Sequence, residues 1–233
     1  MAVMLHFDSS PGRASLLAGT LLAAAFGLPL AAHAASTEGD FLKEAAEIHR
    51  EIVTIDHHLD VPFDYGTAGR EAAIDGPTQF DLPKAERGIV KGASVAIFVP
   101  QGPRTPAGFE EARRKAEQKY EIITSIAGKY PDRAAIAYSP EDVRRIQASG
   151  RFAIVLSMLN GYPIGEDLGQ LDVWYEKGVR VFGFTHSGNN DLADSSRPNL
   201  LRGDKLGEHG GLSELGKRAV AKLNDLGILI DVS

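Results

Sequence analysis

Beyond residue 37 the chain alternates short apolar runs with longer segments whose apolar residues recur at helical spacing. Residues 52–60, 92–99, 152–159, 179–185 and 227–232 are apolar runs of strand length, each bounded by turn residues. The last three are nearly continuous in apolar residues, as parallel strands covered on both faces are. Helical patterns fill the gaps. Residues 109–129 form a charged amphipathic pattern that stops at Pro131. Ser139-Pro140-Glu141-Asp142 reads as a helix start, with a serine cap, proline at the first position and acids in the first turn. Residues 168–177 run into Gly178 and residues 212–226 into Gly227, and a glycine suits a helix C-terminus that turns into a strand.

Strand–helix alternation of this kind predicts a β/α architecture with a parallel sheet. Five strands fit either an open doubly wound sheet or the first part of an eight-stranded barrel. No Gly-x-Gly-x-x-Gly follows the first strand, so a dinucleotide fold loses its main support. Both architectures place their sites at the C-terminal ends of strands, so the position of polar residues there does not separate them.

Composition narrows the function classes. The net charge is −6 and no basic run is interleaved with aromatics, which argues against a nucleic-acid partner. Cysteine is absent, which removes disulfide partners, thiolate ligands, cysteine nucleophiles and a lipoprotein anchor. Residues 1–34 read as a signal peptide: an apolar stretch follows Arg13 and ends in Ala32-His33-Ala34, a small-x-small cleavage pattern. The expected mature chain, residues 35–233, is then periplasmic or secreted.

The residues with chemistry sit at strand ends. In Thr54-Ile55-Asp56-His57-His58-Leu59-Asp60, alternation puts His58 and Asp60 on one side, where an imidazole and a carboxylate suit one metal ion. His57 alternates away, toward the helical layer, and reads as structural. His186 follows the fourth run among Ser187, Asn189, Asn190, Asp191, Asp194 and Ser195. That segment reads equally as a substrate wall and as an ordinary polar turn. Gly211-Leu212-Ser213-Glu214-Leu215-Gly216-Lys217-Arg218 has the outline of a phosphate loop, but Arg218 stands where Ser or Thr is required. It also precedes a strand, and reads as a helix start. No Gly-x-Ser-x-Gly elbow supports a serine hydrolase.

Taken in order, these segments resemble the membrane (renal) dipeptidase family of zinc peptidases, from about Glu47 to Ser233. The markers are Asp56-x-His58-x-Asp60, Gln79-Phe80-Asp81-Leu82-Pro83, Phe98-Val99-Pro100-Gln101-Gly102 and Gly178-Val179-Arg180. Thr185-His186 with Asn189 and Asp194-Ser195 follows, then Gly211-Leu212-Ser213 leading into Ile230-Asp231-Val232-Ser233. The resemblance implies a (β/α)8 TIM-type barrel, a binuclear zinc centre and hydrolysis of dipeptides. It implies His58 and Asp60 as ligands of one Zn2+ and His186 as a substrate contact. Two departures accompany it. The family's third strand ends in a glutamate that bridges both metals, and Leu159 stands at that place here. The family's fifth strand ends Asp-x-Ser-His, and this sequence stops at Ser233, before that histidine.

The expectation is therefore about five of eight β/α units from a metallo-dipeptidase, inactive alone. A non-catalytic remnant and another metal-dependent amidohydrolase are the alternatives. Two open sheet edges favour pairing with another chain, a homo-oligomer included.

Overall fold

The apolar runs do become strands, in a single parallel sheet. The computed structural model describes residues 38–232, and the signal peptide read over residues 1–34 lies outside them. The strands are β1 (Asp56–Leu59), β2 (Gly92–Phe98), β3 (Ala134–Ala137), β4 (Phe152–Leu159), β5 (Val179–Gly183) and β6 (Leu229–Asp231). Their order is β1-β2-β4-β5-β6, all pairs parallel, with β3 joined to β4 beside this path. Five strands on the main path match the five runs expected, while β3 is additional. β2 runs in register along β4 from Gly92↔Ala153 to Phe98↔Leu159. β3 takes Phe152–Val155, and β5 takes the rest of β4 from Leu156 onward. The two short strands thus divide the other edge of β4 between them.

Helices connect the strands: α1 (Glu38–Glu51), α2 (Leu82–Arg87), α3 (Pro106–Lys129), α4 (Pro140–Ala148), α5 (Gly169–Glu176) and α6 (Glu214–Leu226). Their starts are written locally. Thr105, Ser139 and Ser213 each cap a helix by accepting the backbone N–H of the residue three positions on. The phosphate-loop look-alike is the Ser213 cap of α6, as its sequence context indicated. Gly216 has a packing reason: a Cβ there would lie 2.0 Å from the Leu192 carbonyl oxygen.

Register partners share a face, and this sorts the sheet residues into two sets. Val95, Ile97, Ile154, Leu156, Met158 and Phe182 pack in one cluster with Ala112, Ala116 and Ile123 of α3, Trp174 of α5 and Leu223 of α6. Ser94, Val155, Ser157, Leu159, Val181 and Leu229 form the opposite face. Val143 and Ile146 of α4 cover the N-terminal end of that second face, against Ala153 and Val155. Helices along one face and a cavity-bearing inner face are the layout of part of a barrel, not of a doubly wound sheet.

One reading is corrected. His57 does not turn to the helical layer; it lines a cavity of about 710 Å3 with Ser94, Val155 and Val181 of the inner face. The cause is local. β1 pairs with β2 through a register irregularity between Asp56 and Leu59, so strict alternation does not carry through the His57-His58 pair.

Candidate active site

At the C-terminal end of the inner face a smaller cavity, about 260 Å3, is lined by His58, Leu159, Thr185, His186, Ser196 and Arg197. Three separate strand ends supply it, from β1, β4 and β5. His58 is set by the turn of its own strand, its backbone N–H donating to Asp56 Oδ1 at 2.9 Å. His186 lies against Phe98 at the end of β2, ring centroids 4.7 Å apart. Its carbonyl accepts from Ser195 Oγ. Burial lowers the His186 pKa, and the nearby Arg197 and His58 push it the same way, while Asp60 opposes them. At neutral pH this imidazole is uncharged and offers one N–H and one lone pair.

Asp60 follows β1 but does not line that cavity. Its Oδ1 accepts from Lys119 Nζ at 2.9 Å. Lys119 comes from the middle of α3, is 2% exposed, and also donates to the Val61 carbonyl. Thus the His-x-Asp triplet is divided: His58 stands on the cavity wall and Asp60 is tied to a buried ammonium.

The loop after β5 divides likewise. Asn189 and Asn190 are each 1% exposed and are used for the loop's own shape. Asn190 Oδ1 accepts from the backbone of Leu192 and Ala193, and its amide donates to Asn160 Oδ1 and the Phe184 carbonyl. Asn189 Oδ1 accepts from Ser195 N, and Asp194 accepts from the backbone of His209 and Gly211. The buried asparagines and Asp194 make the turn, and Thr185, His186, Ser196 and Arg197 line the cavity.

Sequence reasoning passed over Arg197 and Lys119. Arg197 forms no ion pair among the described residues, so its guanidinium is free to meet an anion at the cavity. No sequence pattern marks it. Lys119 did carry a signal: it interrupts the buried stripe Ala112, Ala116, Ile123, Ile126 at helical spacing.

Among the described residues, no three His, Asp or Glu side chains converge on a point that would hold a metal ion. Leu159, the residue at the expected place of a bridging glutamate, puts an apolar side chain on the wall. His58 and a lysine-bound Asp60 fall short of the three protein ligands of a catalytic zinc site. By themselves these residues do not fit a zinc centre.

Among solved structures, the probable dipeptidase PvdM from Pseudomonas aeruginosa superposes with a TM-score of 0.80 at 50% identity, over 84% of this chain and 50% of that one. Dipeptidase verJ of Clonostachys rogersoniana is 28% identical over 208 residues, which is 83% of this chain and 52% of verJ. Dipeptidase aclJ of Aspergillus oryzae is 29% identical over 159 residues, 66% of this chain and 36% of aclJ. The chain spans about half the length of PvdM and verJ, and about a third of aclJ. Residues 42–233 match the model of the family described as membrane dipeptidase, peptidase family M19, and the chain belongs to that family.

Proposed function

We propose that this chain carries the dipeptide-facing first half of a dipeptidase barrel, and that residues 1–233 alone do not turn over dipeptides. The observation that carries the reading is the cavity at the strand ends. It sets a neutral His186, His58 and Arg197, which has no ion pair among the described residues, around a space of about 260 Å3. His186 is suited to donate an N–H to a peptide carbonyl, and Arg197 to meet the carboxylate that every dipeptide carries. The family implies a metal, and zinc is the ion proposed. The described residues supply too few ligands to hold it in a working centre, and this favours an inactive chain. Grouped catalytic parts act as a unit, so a centre short of ligands is expected to forfeit nearly all of the rate enhancement.

The test is hydrolysis of simple L,L- and L,D-dipeptides by the purified chain with added zinc, beside binding of the same peptides followed by NMR. Binding without turnover is the expected result. Turnover comparable to a full-length family member overturns the inactivity, and absence of peptide binding overturns the role of the cavity. The export reading is proposed on the residues 1–34 pattern, and N-terminal sequencing that begins at Ala35 is its check.

A further inference from the structure

Burying an ammonium is costly unless it is paired and hydrogen bonded. Lys119 meets that condition on every side. Its Nζ donates to Asp60 Oδ1 at 2.9 Å and to the Val61 carbonyl, and it lies 4.7 Å from the centre of the Phe63 ring. Its neighbours on the α3 stripe are alanine and isoleucine, so packing alone would be served as well by a methionine. Asp60 differs: its side chain is 42% exposed and has water available. The lysine therefore does for Asp60 something that solvent does not. It fixes one carboxylate oxygen and places a positive charge at the mouth of β1.

We propose that Lys119 is the resident cation of this strand end, holding and neutralising Asp60 in the way a divalent ion does at a His-x-Asp pair, and so disfavouring such an ion there. Leu159 on the cavity wall obeys the same charge balance, because one fixed cation calls for one carboxylate and not two. The inference rests on the contacts of Lys119 and not on the dipeptide reading. Its readouts are metal binding and an ammonium resonance, and neither depends on turnover.

The experiment compares zinc binding by the chain and by Lys119→Met, using equilibrium dialysis. Methionine keeps the length of the side chain and removes the charge. Lys119→Met is expected to bind zinc about tenfold more tightly, because a positive charge close to the ion has gone. Adding His58→Ala is expected to abolish that gain. Unchanged or weaker zinc binding in Lys119→Met overturns the proposal, as does a gain that survives His58→Ala. Unaltered protein supplies the second measurement. With 15N-lysine label it should show one slowly exchanging ammonium signal that persists with equimolar zinc. Loss of that signal on adding zinc, or its absence without zinc, overturns the proposal even if Lys119→Met does not fold.

Discussion

The side-chain amide of Asn190 donates to Asn160 Oδ1 at 3.1 Å, joining the end of β4 to the loop that follows β5. Asn160 is wholly buried, takes a left-handed φ of 76°, and donates in turn to the Val99 carbonyl beyond β2. Asparagine tolerates that conformation better than most residues. Three strand ends are thereby fastened beneath the cavity by two amides. Asn190→Ala would leave two backbone N–H groups and the Asn160 oxygen without partners. It should cost about 3 kcal/mol, measured by urea unfolding. A loss below about 1 kcal/mol would show that water replaces these bonds.

A second prediction concerns Gly216. The first turn of α6 lies so close to the Leu192 carbonyl that even a methyl group does not fit. Gly216→Ala should destabilise the fold by about 3 kcal/mol, although alanine is the better helix former. A rise in melting temperature would mean that the loop yields at no cost.

Titration of His186 tests the electrostatics of the cavity. Its folded-state pKa lies below the ordinary 6.5, because burial first and Arg197 second disfavour the imidazolium. The unfolded chain therefore binds the proton more readily. Above pH 6.5 the ring is neutral in both states and there is no penalty. As pH falls below 6.5 the unfolded state gains protons first and stability declines, until the folded ring titrates too. NMR of the imidazole should give a midpoint below 6.5 that rises in Arg197→Gln and falls further in Asp60→Asn. A midpoint at or above 6.5 in the unaltered chain would contradict the geometry.

Leu159 offers a test by addition. A carboxylate placed there would share the wall with His58 and His186 and bring the local donor set to three. Leu159→Glu should bind zinc at least about tenfold more tightly than the unaltered chain, at a stability cost of about 2 kcal/mol for the buried leucine. Dialysis against zinc and thermal melting read the two effects separately. Zinc affinity that stays unchanged would show that this wall position does not face the same point as the two histidines.

The sequence announced what is local. Apolar runs over β2, β4 and β5, the serine cap of α4 and the start of α6 were legible because neighbouring residues determine them. β3, four residues of mostly alanine, carries too little pattern to mark a strand, and it forms because the lower edge of β4 is open to pairing. α1 buries no residue, so nothing in its pattern tied it to the fold. His57 was misplaced because the irregularity in β1 depends on how β2 lies beside it. At the site, His58 and His186 were visible as strand-end histidines. The attachment of Asp60 was not, since its partner is a helix residue far along the chain. The split in the loop after β5 was likewise hidden, as asparagine, aspartate and serine serve turns and ligands with the same atoms.

The ammonium of Lys119 gives α3 a gauge mark. Sliding that helix by one residue means a 1.5 Å advance and a turn of about 100°, which carries the charge away from Asp60 to the place now held by exposed Gln118 or half-buried Tyr120. Neither one-residue slide of α3 offers the same ion pair, because Gln118 or Tyr120 would then stand in place of Lys119. Alignment of the Asp60 carboxylate at the strand end is thus set from a helix on the far side of the sheet. Substitutions at the solvent-facing positions of α3 should leave that alignment intact, and an inserted residue anywhere between Thr105 and Lys119 should destroy it.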